Sequence, residues 1–136
     1  MKLSQELAIH SAPVTAIEYS ERTLVSASES GLLALADVAT GTIACSIQET
    51  APITSCKFAD KTIYYSTENL LKAWDTVNQT TSVIHTVAEE INQIDINPIN
   101  SYIGIVEDSG QVHVYDIKKG ALAKRLHRSH SNVIFH

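Results

Sequence analysis

Three aspartates recur at matching places in this 136-residue chain: Asp37, Asp75 and Asp116, each closing an apolar run. Repeated carboxylates can act as general acids or hold a cation, but either role requires them to converge on one point. These are 38 and 41 residues apart, one per apolar run, and read instead as turn residues that accept hydrogen bonds from the backbone just beyond them. Glu29, Glu68 and Asp108 stand in polar clusters between apolar runs and receive the same reading. His127, His130 and His136 have short, ligand-like spacing. Zinc asks for three or four converging ligands with outer-shell support, and no cysteine joins these three, so they are assigned no metal. There is no Gly-x-Ser-x-Gly elbow, no His-Glu-x-x-His and no Gly-x-x-x-x-Gly-Lys loop. No catalytic, cofactor-binding or metal-ligating residue is therefore assigned, and no cofactor is expected. A metal-dependent enzyme working from a central cavity is the weakest function class.

The elements that carry these residues emerge when the chain is superposed on itself. Val14, Ile17 and Tyr19 share offsets 0, 3 and 5 with Ile53, Cys56 and Phe58, and again with Ile91, Ile94 and Ile96. The starts lie 39 and 38 residues apart, and a further start falls at Val133. The aspartates follow their starts by 23, 22 and 25 residues. Between these landmarks lie more short apolar runs: Leu24 to Ala27, Ile63 to Ser66 and Tyr102 to Val106. Polar, turn-forming clusters bound each run, and a last run in each copy ends at Ile47, Ile84 or Leu126. Each copy therefore predicts four short strands, and no stretch sustains a helical period. The expected fold class is all-β: blade one over 13–47, blade two over 52–84 and blade three over 90–126. An outer strand is expected over 2–9, and the start of another blade over 130–136.

Composition narrows the partners. Hydrophobic residues make up 44%, enough for a packed core, while net charge is −5. That balance argues against nucleic acid or an anionic membrane surface. The cluster of Lys118, Lys119, Lys124, Arg125 and Arg128 reads as a solvated blade edge. Cys45 and Cys56, set among apolar neighbours, read as buried free thiols of a reducing compartment. No apolar h-region opens the chain and no run reaches membrane-spanning length, so a cytoplasmic or nuclear protein is expected.

Four strands in about 40 residues that close on Trp74-Asp75 resemble the WD-repeat β-propeller family. Tyr115-Asp116 and Ala36-Asp37 stand at the same place as relatives of that dipeptide. The family's Gly-His is reduced to His10, with His130 near the equivalent position, so its His–Ser/Thr–Asp–Trp relay is incomplete in every blade. The resemblance implies a partial propeller of about three blades that binds other proteins as a scaffold, with His10, Asp37, Trp74, Asp75, Tyr115 and Asp116 as structural repeat positions.

The order of short motifs from Glu89 onward, through Tyr115-Asp116 to His130-Ser131-Asn132, is similar to the third blade of one branch of the family. That branch implies a substrate receptor of a cullin-4-type ubiquitin ligase, docking on the ligase's propeller adaptor through Trp-Asp-x-Arg. Here Trp74-Asp75-Thr76-Val77 has Val at the Arg place. Tyr115-Asp116-Ile117-Lys118 keeps a cation without the bidentate fork, which makes Tyr115, Asp116 and Lys118 the docking candidates. Three blades leave apolar flanks and strand edges open, so self-association is a further expectation, as is a truncated product with no function of its own.

Overall fold

Short runs of β-branched, aromatic and alanine residues, broken every six or seven positions by turn formers, favour strands over helix. In the computed structural model, which describes residues 9–97, 99 and 101–126, they form twelve strands and no helix. Blade one is β1 (Val14–Ser20), β2 (Thr23–Ser28), β3 (Leu32–Asp37) and β4 (Thr42–Gln48). Blade two is β5 (Ile53–Ala59), β6 (Thr62–Thr67), β7 (Leu70–Asp75) and β8 (Thr80–Thr86). Blade three is β9 (Ile91–Asn97), β10 (Tyr102–Glu107), β11 (Val112–Asp116) and β12 (Ala121–Leu126). Each blade is a separate antiparallel sheet whose strands pair in chain order. The three-blade, all-β expectation holds. The expected outer strand lies outside the described residues except for Ile9, as do the blade start at 130–136, Arg128, and His127, His130 and His136.

The aspartates act in the turns. The N–H groups of Ala39 and Thr40 donate to Asp37 Oδ1 at 2.8 and 3.3 Å, and those of Val77 and Asn78 to Asp75 Oδ1 at 2.9 and 3.1 Å. Lys119 N–H donates to Asp116 Oδ1 at 3.1 Å. The bonds from Asn78 and Val77 hold the Asp75 carboxyl below the usual carboxylate range. Four residues after each aspartate the chain turns left-handed, at Gly41 (φ 71°), Gln79 (φ 58°) and Gly120 (φ 65°). Glycine adopts that conformation freely, whereas a residue with a Cβ is strained there. Gln79→Gly is therefore expected to stabilise the chain by roughly 0.5–1 kcal/mol. A urea titration should show a higher midpoint with an unchanged slope; a lower midpoint would mean that the Gln79 side-chain bond to the Thr76 carbonyl outweighs the strain.

Because side chains alternate along each strand, a middle blade has two faces to bury. Tyr65, Ile63, Ile53, Cys56 and Trp74 pack toward blade one, where Val25, Ala27 and Leu33 meet them. Tyr64, Leu71 and Ala73 pack the other way, against Ile91, Ile94, Ile103, Ile105 and Tyr115 of blade three. Two apolar seams thus hold three sheets, with β1, β5 and β9 adjacent on the inside. Hydroxyls stitch the seams at a constant repeat position: Thr15 donates to the Ile53 carbonyl, and Thr54 to the Ile91 carbonyl at 3.2 Å.

The relay is partly formed. His10 Nε2 lies 2.7 Å from Ser26 Oγ, and burial lowers the His10 pKa. Trp74 is fully buried, yet its indole N–H has no hydrogen-bond partner. Cys56 is buried and free, its thiol pushed up to about 12 chiefly by desolvation. Cys45, also free, is only half-buried, which corrects the expectation of two buried thiols.

Candidate functional site

In each blade the turn between the first and second strands lies beside the turn between the third and fourth. The N–H of Val38 bonds the Arg22 carbonyl, Thr76 that of Lys61, and Ile117 that of Ser101. At the opposite end, the turns between second and third strands meet the connectors between blades. There Glu49 N–H bonds the Gly31 carbonyl, Val87 that of Asn69, and Asp108 that of Glu90. Gly31 at φ 89° is required by this packing, because a Cβ would strike the carbonyl oxygens of Glu49 and Ala51.

This folding sorts the charges. Glu29, Glu68, Glu89, Glu90 and Asp108 are all exposed at the connector end. Arg22, Lys61, Lys118 and Lys119 are all exposed at the other end, where Glu21 and Asp60 are exposed beside them. The lysine nearest the acidic end, Lys72, is already engaged: its Nζ lies 2.7 Å from Glu49 Oε2 and over the Tyr65 ring. Tyr65 OH donates to the same carboxylate. Burial alone would raise the Glu49 pKa, but hydrogen bonds from Lys72 and Tyr65 outweigh it and hold the carboxyl low.

On the inner strands, the position four residues after each start carries Glu18, Lys57 and Asp95. Lys57 Nζ bridges them, 3.3 Å from Glu18 Oε1 and 3.8 Å from Asp95 Oδ1. Beside this bridge runs an open groove of about 270 Å³, lined mainly by polar groups including Thr54, Ser55, Asn92 and Gln93.

The candidates named from sequence separate in space. Tyr115 is buried in the seam between blades two and three, its ring centroid 5.9 Å from that of His85. Asp116 is buried with its carboxylate spent on the turn. Lys118 alone of the three reaches solvent freely. Among the described residues no group of three or more His, Cys, Asp or Glu is placed to hold a metal. Asp37, Asp75 and Asp116 each serve their own blade.

Sequence reasoning missed a buried pair. Glu107, at the end of β10, and His113, in β11, are 1% and 2% exposed, with Nε2 and Oε2 3.2 Å apart. Ser109 Oγ donates to the other carboxylate oxygen at 2.6 Å. The only sequence signal was their two-strand alternation with Ile105 and Tyr115, which places both on the inward face. The ion bridge on the inner strands was more accessible, since comparing repeat offsets yields Glu18, Lys57 and Asp95 at once.

No family model matches the chain. Over 85 residues it is 28% identical to the WD repeat-containing protein 53 homolog of Dictyostelium discoideum, a match covering 57% of this chain. The chain spans under a quarter of that relative, 23% of its length. Among solved structures, the computationally designed Ika4 protein superimposes with a TM-score of 0.83 at 20% identity, over 96% of this chain and 84% of that one. The structure of U3-55K superimposes with a TM-score of 0.83 at 11% identity, over 93% of this chain and 42% of that one. At such identities these likenesses carry the fold alone.

Proposed function

We propose that this chain is a protein-interaction scaffold, a rigid stack of WD-type blades that presents two electrostatically different ends to partners in the cytoplasm or nucleus. The observation that carries this reading is the distribution of exposed charge: acids alone at the connector end, and at the other end four cations beside the two acids Glu21 and Asp60. Turns on a rigid β frame are where recognition residues concentrate, and complementary charge speeds encounter and fixes orientation. The similarity to a WD repeat protein supports the same class.

The narrower reading makes the chain a substrate receptor of a cullin-4-type ligase, docking on the adaptor at the turn of blade three. Lys118 supports it as an exposed cation two residues after Asp116. The experiment is affinity capture of the tagged chain with quantitative mass spectrometry, comparing wild type with Lys118→Glu and with the double variant Glu68→Lys, Glu89→Lys. Loss of a reproducible partner set in either charge-reversal variant, with melting unchanged, supports the scaffold. Adaptor recovered with wild type and lost with Lys118→Glu supports the ligase role. Identical partner sets from all three proteins would sink the assignment of these ends. Asp116→Ala is the poorer probe, because it removes the acceptor for Lys119 N–H and disturbs the turn itself.

A further inference from the structure

The seam between blades two and three opens into a groove at the end of the molecule away from the connectors. Its walls belong to two blades that pack directly on each other. Ala59, Asp60 and Tyr64 stand on the blade two side, and Ile96, Ser101 and Ile117 on the blade three side, around a volume of about 330 Å³. Ala59, Ile96 and Ile117 are half-buried and rest on the apolar cluster that fills the seam, so the floor of the groove is apolar. The space suits one branched aliphatic side chain together with the peptide unit that carries it.

Two polar groups edge that floor. Tyr64 is 8% exposed, and its hydroxyl makes no hydrogen bond to a described residue. Burial, and then the neighbouring Tyr115, raise its pKa, so it stays a donor. The Asp60 carboxylate is exposed and likewise accepts no hydrogen bond from a described residue. A donor and an acceptor on one wall match the C=O and N–H groups of an extended peptide. Charge selects which peptide. Lys61 adjoins Asp60 in the chain and Lys118 and Lys119 follow Ile117, all three exposed. The carboxylates nearby are engaged elsewhere: Asp75 and Asp116 in their own turns, and Asp95, next to Ile96, with Lys57 at 3.8 Å. Three exposed cations against the one acid of the groove wall favour acidic residues on the partner.

We propose that this groove binds an extended acidic peptide of a partner protein, one that sets an aliphatic side chain on the Ile96–Ile117 floor. The Tyr64 hydroxyl donates to a backbone carbonyl of the peptide, and Asp60 accepts from a backbone N–H. Carboxylates on either side of the aliphatic residue meet Lys61 on one blade and Lys118 and Lys119 on the other. The proposal rests on the scaffold reading and names the partner class of one of its two ends. Because the flanking contacts are exposed ion pairs, binding weakens as ionic strength rises.

The test is an amide NMR titration of the 136-residue chain with a blocked synthetic peptide, one leucine between two runs of glutamates. Saturable shifts are expected at Ala59, Asp60, Lys61, Ser101, Ile117, Lys118 and Lys119. Peptides with serine for the leucine, or lysines for the glutamates, should not produce them. Tyr64→Phe keeps the ring and should weaken binding about fivefold through one lost hydrogen bond. The double variant Lys118→Glu, Lys119→Glu should weaken it roughly tenfold. Amides remote from the groove report that each variant is folded. No shifts at high peptide concentration, shifts centred on the connector end, equal binding of the serine peptide, or unchanged affinity in either variant would each overturn the proposal. Failure here, with partners still lost from Lys118→Glu in affinity capture, would leave the scaffold reading standing. Capture with identical partner sets would count against that reading whatever the peptide does.

Discussion

Replacing Trp74 by alanine is expected to remove about 3–5 kcal/mol of stability, the largest loss available from one apolar side chain in this protein. Trp74 is fully buried where β7 meets the seam between blades one and two, beside Ile53, Ile63 and Tyr65. Deleting the indole leaves a void that the two sheets can close only by shifting against each other, and the stitching by Thr15 resists that shift. Trp74→Phe should cost far less, about 1 kcal/mol. It loses some area but also removes an indole N–H that is buried without a hydrogen-bond partner. Urea denaturation of the three proteins decides the matter: equal losses for alanine and phenylalanine would mean that the indole N–H finds a partner in solution. The alanine variant should also expose Cys56, whose buried, high-pKa thiol reacts slowly in the wild type.

The second large effect is expected at Glu107 and His113. His113→Leu should destabilise by about 3 kcal/mol, because it leaves a carboxylate that is 1% exposed with only the Ser109 hydroxyl for company. Glu107→Met alone should cost a similar amount by stranding the imidazole, whose Nδ1 already lacks a partner. The double variant is expected to recover most of the loss, since an apolar pair of similar volume suits a seam already lined by Ile91, Ile94 and Ile105. A double-mutant cycle by chemical denaturation measures this coupling; strictly additive losses would show that the two side chains do not act as a pair.

Much of this was legible beforehand because the fold repeats. Offsets 0, 3 and 5 recover the inner strands, since the same seam must be filled in each blade. The aspartate ending each third strand reads as a turn acceptor because its carboxylate reaches only the next two or three N–H groups, wherever the blade lies. The absence of glycine from the last turn of blade two was visible too, though only the backbone reveals that Gln79 takes up the left-handed conformation instead. Tyr115 shows where such reading stops. Its place beside Asp116 made it a docking candidate, yet strand alternation turns its ring into the seam.

By itself the sequence determined the strand count, the grouping into fours and the chemistry of the turns, because these depend on side chains a few residues apart. Tertiary structure alone decided what faces what across sheets. It brought Glu18, Lys57 and Asp95 within reach, paired Lys72 with Glu49, buried Glu107 against His113, and placed the exposed cations Arg22, Lys61, Lys118 and Lys119 at the end away from the acidic connectors. Those relations arise from the stacking of whole blades about 38 residues apart in the chain. No local pattern encodes the angle at which one twisted sheet settles on the next.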